Sequence, residues 1–270
     1  MCSQNIMKSV ASSLFLLSAI FFAADSYAQH SVGVPKPKTG PIAGIELSLA
    51  KHTQQGTYGC DCGAQFSGGT GSSFSGSAFL ELPVIPDVFA GLKMGLDQKN
   101  VSSSYLINEL VMVVAPGSEE SPDTTSMLIN RTGTMSLSSF RFEPFVQYQV
   151  FSSSLFIQLG AGISIVTASN FTQTRELKTT SLLLPDGTRL NNMTFTNGTR
   201  FEEVENGAIS GLNNPEFSGL VSAGYNFNIG RSQLSPVVTY EYPFSTISPK
   251  YSGAWKISSL YGALDLAVRL

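Results

Sequence analysis

Apolar and polar residues alternate one by one in eight stretches of this chain, the period of a β-strand whose two faces meet different surroundings. In residues 42–51, Ala43, Ile45, Leu47 and Leu49 share one face, and Gly44, Glu46, Ser48 and Ala50 the other. The same alternation runs through residues 74–82, 88–97, 135–150, 155–166, 217–229, 234–244 and 257–270. Each stretch matches or exceeds the ~9–11 residues with which a tilted strand crosses a bilayer.

The connections alternate as well. Residues 83–87, 151–154 and 230–233 are short turns, whereas 52–73, 98–134, 167–216 and 245–256 are longer. Long, short, long, short is the order of an up-and-down antiparallel barrel with short periplasmic turns and long extracellular loops, and it puts both termini on the short-turn side. Two of the long connections hold strand-like pieces. Residues 105–115 and 127–131 would extend one hairpin outward, and 182–184 and 189–195 flank the turn signal Pro185-Asp186-Gly187.

A soluble β-sandwich or a lipocalin-like barrel would alternate too, with its apolar face inward and its charges in water. Here one face is almost wholly Leu, Ile, Val, Ala and aromatic, and carries no Lys, Arg, Asp or Glu in the central spans. Phe74, Phe140, Phe142, Phe217, Tyr242 and Phe244 lie on it toward the long-loop ends; Tyr148, Tyr225 and Phe227 lie near the short turns. Two aromatic girdles around an aliphatic band are the interface pattern of a membrane barrel. The fold expected is therefore all-β, a transmembrane up-and-down antiparallel β-barrel of about eight strands, with a soluble secreted β-barrel or sandwich as the alternative.

Composition narrows the choice further. Only 13% of residues are charged and the formal net charge is -3, whereas soluble domains are about a quarter charged. No basic patch suggests nucleic acid, and after the N-terminus no run approaches the ~20 apolar residues of a membrane helix. The N-terminus itself reads as a cleaved signal peptide: Lys8, an apolar run from Val10 to Phe22, then Ser26-Tyr27-Ala28 as the cleavage site. An uncleaved anchor is the alternative. The division expected is a signal peptide at 1–28, a periplasmic lead-in at 29–40 containing Pro35-Lys36-Pro37-Lys38, and a barrel domain at 41–270.

Taken together, the export signal, the eight strands, the hairpin 182–188 and a closing strand with Leu264, Leu266, Val268 and Leu270 at alternate positions resemble the small outer-membrane β-barrel family, the OmpA-like transmembrane barrels and their Bacteroidetes-type members. The resemblance covers most of the chain and rests on architecture rather than a catalytic motif. It implies the bacterial outer membrane as location, and outer-membrane lipids and the barrel-assembly machinery as partners. Many members end in Phe, whereas this chain ends in Leu270.

Eight strands enclose an interior that side chains can fill. The inward face carries Glu46, Lys93, Glu143, Glu241 and Asp265 at similar heights, with Arg141 one step further out. Buried charges must be paired or neutralised, so these six are expected to form a lumen charge network that plugs the barrel. A gated ion or proton path is the alternative. Lys93 is expected beside Glu143, and Glu46, Glu241 and Asp265 on one side of the lumen, at least one of them holding a proton.

Other chemistry is sparse. Cys60 and Cys62 flank Asp61, a spacing open to a loop disulfide, to two surface thiols, or, with more ligands than His52 alone supplies, to a metal. His30 falls in the lead-in, and His52 reads as a solvated residue just past the first strand. No nucleophile elbow, P-loop or zinc motif occurs, so neither an enzyme activity nor a cofactor is expected. The function expected is a structural or surface-binding, adhesive role with an extracellular ligand held by the loops. A narrow conduit for ions or small molecules and a soluble secreted binding domain are the rivals.

Overall fold

The computed structural model describes residues 40–59, 64–114, 123–179, 181–183, 189–249 and 255–270. The signal-like segment, nearly all of the lead-in, and both Cys60 and Cys62 lie outside the described residues.

Eight long strands carry the fold: β1 (Ile42–Gln55), β2 (Thr70–Ile85), β3 (Val88–Val114), β4 (Asp123–Gln149), β5 (Leu155–Leu177), β6 (Glu216–Tyr225), β7 (Ser232–Pro243) and β8 (Lys256–Arg269). Each pairs antiparallel with the next in sequence, and β8 returns to β1 from Ile42↔Arg269 to Gln55↔Lys256. The sheet therefore closes on itself. The ladders run from strand to strand around the ring, so the wall has no open edge in the central band, the condition for strands to stand in a lipid core.

The three tight connections fall where the sequence places short turns. Ile85 pairs with Val88 across Pro86-Asp87, with Asp87 in the left-handed region at φ 62°. A single 3-10 turn, Val150–Ser152, joins β4 to β5, so Val150, expected at the end of a strand, belongs to the turn instead. Ile229 pairs with Ser232 across Gly230-Arg231, and Gly230 takes φ 64°, as a hairpin turn matched to strand twist requires. The sixth alternating stretch is interrupted at Asn226 and resumes as a short strand, Phe227–Ile229, paired to β7.

The faces divide inside out relative to a soluble barrel. Leu49, Leu96 and Leu159 on the outer wall are 67%, 68% and 60% exposed, alongside Ile45, Leu80, Leu82, Ile157, Val221, Leu264 and Leu266. Glu46, Lys93, Arg141, Glu143, Glu241 and Asp265 are all buried inside. Phe74, Phe217, Tyr242 and Phe244 stand exposed toward the long loops and Tyr148 toward the short turns. This distribution excludes a soluble sandwich. The molecule is a transmembrane β-barrel of outer-membrane type.

Three strands outgrow the wall. β3 and β4 run 27 residues each and β5 runs 23, against 14 for β1 and β8. The stretch read as a 98–134 connection is mostly hairpin, paired without interruption from Val88↔Tyr148 to Val113↔Asp123. Beyond the rim at Thr70↔Ser102, β3, β4 and β5 continue as an external sheet. Phe201–Gly207 adds to the β5 side, and Thr194–Phe195 pairs with Val113 and Val114 of β3. The expected 182–184 hairpin is present as Ser181–Leu183 paired with Arg189–Asn191.

Candidate functional site

The lumen is filled in three levels. In the periplasmic half, aromatic rings lie over glycines on neighbouring strands: Phe145 over Gly91 and Phe156 over Gly224. A Cβ at either glycine would come within 2.2 or 2.3 Å of the ring, so only glycine lets these rings fold flat across the interior. Gln233, Asn226 and Ser235 bond one another at 2.8–3.1 Å near the same end.

The middle level is charged. Lys93 Nζ lies 2.6 Å from Glu46 Oε2. Asp265 sits directly across from Glu46 in the β1–β8 register, so two carboxylates face one lysine. Lys93 is also level with Glu143 across the β3–β4 ladder, as expected, but its ion pair reaches past β2 to Glu46. Glu143 instead meets Arg141, at 3.6 Å. The Arg141 guanidinium further approaches Glu241 at 3.8 Å and Asp97 at 4.0 Å, and lies 5.0 Å from the ring centre of Tyr261.

Glu241 is not at the height of Asp265. Its β8 partner is Ser259, six residues further out, because barrel strands are staggered and residue counts from the turns do not give level positions. Glu241 heads an upper group instead: Lys99 Nζ at 3.1 Å, Tyr261 Oη donating at 2.7 Å, and Glu216 3.9 Å from the same lysine. Lys99, Asp97, Glu216 and Tyr261 thus complete a network of which the six expected residues are a part.

Just above, His52 is wholly buried rather than solvated. Its Nδ1 lies 2.9 Å from Ser259 Oγ on β8 and its Nε2 2.6 Å from Ser73 Oγ on β2. The ring therefore ties β1 to both of its neighbours.

The outermost level is apolar and comes largely from loops. Tyr58, Ala64 and Phe66 from the first long connection, Ile209 from the third, and Ile247 and Trp255 from the fourth pack on inward residues Val101, Met135, Leu137, Phe171 and Ile257. Tyr58 stands 4.4 Å, ring centre to ring centre, from both Phe171 and Trp255. Backbone and amide bonds hold the loops in place. Gln54 Nε2 donates to Phe66 O at 2.8 Å, Asn213 N to Ile247 O at 2.8 Å, and Ile247 N to Trp255 O at 2.8 Å. Beneath this plug the cavity lined by Lys99, Ser164, Glu216, Ser218, Glu241 and Ile257 has about 10 Å³ of free volume, room for roughly one water.

The external sheet has its own small core of Val111, Met127, Ile129, Leu177, Met193 and Phe195. Between it and the plug runs a ladder of ion pairs. Arg131 Nη2 donates to Glu109 at 2.8 Å, and this hydrogen bond holds the guanidinium pKa above its usual value. Arg175 pairs with Glu202 and packs 4.9 Å from the Phe195 ring. Among the described residues no group of three or more His, Cys, Asp or Glu is placed to hold a metal.

No protein-family model matches the chain, and no curated protein matches it. Solved structures do. Neisserial surface protein A aligns over 86% of this chain and 100% of its own, at 11% identity and a TM-score of 0.37. Ail, the attachment invasion locus protein of Yersinia pestis, aligns over 85% and 99% at 10% identity and 0.31. The outer membrane protein OprG of Pseudomonas aeruginosa aligns over 88% and 99% at 9% identity and 0.33. The assignment to outer-membrane barrels stands on the closed ring and its inside-out faces.

Proposed function

We propose that this protein is a closed outer-membrane barrel that works by presenting its external sheet to binding partners at the cell surface. The observation that carries this reading is that the lumen is filled at every level, while β3, β4 and β5 spend their extra length outside the wall. A conduit needs a continuous polar path; here an apolar plug caps the charged network. The lumen network of Glu46, Lys93, Arg141, Glu143, Glu241 and Asp265 serves to hold the wall closed. The external sheet supplies area, a core of its own and strand edges, which are the means of strand-mediated recognition.

Two measurements test the reading. Purified protein in planar bilayers is expected to give no discrete conductance steps. Cells displaying it are expected to adhere to immobilised extracellular-matrix proteins, and to lose adhesion when residues 105–131 are replaced by an Asn-Gly turn. Steady conductance by the intact protein would replace this reading with the conduit. Undiminished adhesion by the trimmed barrel would remove the external sheet from the function.

A further inference from the structure

The external sheet has two edges, and the chain treats them differently. On the β5 side, Phe201–Gly207 pairs with Phe171 to Glu176 and covers the edge. On the β3 side, β2 departs at Thr70↔Ser102, and among the described residues no strand follows β3 until Thr194–Phe195 pairs with Val113 and Val114. Between these points, among the described residues, the backbone ladder of β3 is to β4 alone, while Ser103 Oγ donates to Ser67 O and Tyr105 packs on Phe66 from the inner face. The stretch is about 30 Å of strand at ~3.3 Å per residue, and alternate backbone N–H and C=O groups face away from the sheet.

Natural edges of this length are normally blunted with lysine, proline or a bulge. Residues 104–112 read Ser-Tyr-Leu-Ile-Asn-Glu-Leu-Val-Met, with no Lys, Pro or Gly, and their pairing to β4 shows no register shift. The one charge, Glu109, is committed to Arg131. Leu106, Leu110 and Met112 are 59%, 75% and 54% exposed on the outer face. They stand clear of the lipid belt: Leu96 closes it on β3, and ten residues separate Leu96 from Leu106, about 25 Å of height for a strand tilted as barrel strands are.

We propose that this free edge of β3, residues 104–112, receives an extended segment of a partner polypeptide by strand addition. The inference rests on the surface-binding reading and names the class of ligand. Two features select the occupant. The unpaired backbone groups are satisfied in series only by another extended backbone, and the apolar row Leu106, Leu110, Met112 asks for apolar side chains at alternate positions of that segment. Thr194–Phe195 already pairs antiparallel to β3 at the tip, and the incoming strand continues that pairing downward. A second copy in the same membrane, related by a two-fold axis along the membrane normal, would set β3 parallel to β3, not in the antiparallel sense that Thr194–Phe195 already takes.

The test uses the full-length protein in lipid nanodiscs and a dye-labelled peptide of alternating Thr and Val with Lys at each end, followed by fluorescence anisotropy. Binding is expected, and the same peptide N-methylated at every second residue is expected to fail, since one row of its donors is gone. The double variant Leu106→Lys, Leu110→Lys is expected to weaken binding by at least about tenfold. Val204→Lys, on the strand that covers the other edge, leaves binding unchanged. Heat-modifiable gel migration confirms that each variant is folded.

Absence of peptide binding, equal binding of the methylated peptide, or indifference to the two lysines overturns the proposal. So does a concentration-dependent dimer that the lysines abolish, which would give the edge to a second copy. If cell adhesion survives the lysine pair but not removal of residues 105–131, the surface-binding reading stands and the edge proposal alone fails.

Discussion

The lumen network and the mouth plug close the same tube by opposite means. The network is built from strand residues whose position is dictated by parity: in β1, Glu46, Ser48, Ala50, His52 and Gln54 all point inward because every second residue must. Most of its members are charged, and its pairs Lys93–Glu46, Lys99–Glu241 and Arg141–Glu241 reach between strands that are not neighbours. The plug is apolar, and its rings come from loops separated by nearly the whole chain, Tyr58 and Phe66 at one end and Trp255 at the other. A charged closure is intolerant of losing one partner, because the charge left behind is stranded in a medium of low dielectric. An apolar closure loses its contacts in proportion to the area removed. The network should therefore govern whether the barrel is stable, and the plug whether the mouth is shut.

The sharpest break in that comparison is Lys93→Met. It leaves Glu46 and Asp265 facing each other with their nearest cation gone, and a cost of about 3–5 kcal/mol is expected. Urea unfolding in detergent micelles reads it directly. A midpoint equal to the parent's would mean that water or a distant cation already compensates these carboxylates, and the network would not be what holds the wall.

Trp255→Ala comes next. A fully buried indole is removed from between Tyr58 and the loop that carries Ile247, at about 3 kcal/mol. The loss should be local: amide exchange rises in residues 57–59, 64–67 and 245–249 while the β1–β8 ladder stays protected. Exchange that rises uniformly around the barrel would erase the distinction between the two closures.

How much of this was legible beforehand follows the same division. Parity and turn spacing carry all eight strands, the outward lipid face and six inward charges, because a closed barrel fixes side-chain direction locally. Lys99 and His52 escaped for a shared reason. Each lies in a polar run, Gln98-Lys99-Asn100 and Lys51-His52-Thr53-Gln54-Gln55, where alternation in hydrophobicity stops although the strand does not. Extending the inward parity past the last apolar residue would have placed both inside. The plug carries no periodic signal. Tyr58, Ile209, Ile247 and Trp255 are single apolar residues in polar loops, and their shared destination is set by contacts far apart in sequence. The pairing of Lys93 with Glu46 also lay beyond parity, since stagger decides which inward residues are level.

Glu241→Gln tests a smaller effect. Counting carboxylates along the strands suggests a surplus anion whose neutralisation costs little. The geometry gives it three partners, Lys99, Arg141 and Tyr261, so a loss of about 2 kcal/mol is expected, the range for a charged hydrogen bond broken on one side. It should remain below that of Lys93→Met, because Lys99 keeps Glu216 and Arg141 keeps Glu143 and Asp97. A loss exceeding that of Lys93→Met would move the keystone of the network from Lys93 to Glu241.

The smallest effect belongs to Asp265→Asn, and its sign is the informative part. Asp265 stands opposite Glu46, and the lysine they face gives its close contact, 2.6 Å, to Glu46. Oδ1 of Asp265 is buried without a hydrogen-bond partner. Two like charges share one cation, and one of them has an oxygen that nothing satisfies. Asparagine keeps the shape, removes one negative charge and brings an N–H donor that can turn to the Glu46 carboxylate. The expected change is within about 1 kcal/mol of zero and on the stabilising side, since the repulsion goes while Lys93–Glu46 stays. Urea midpoints of the single variants and of Lys93→Met/Asp265→Asn together measure the coupling. With Lys93 absent, Asp265→Asn should recover part of the loss, because only Glu46 is then left without its cation. A destabilising single variant with no recovery in the pair would show that Asp265 serves as an ionised partner of Lys93 equal to Glu46.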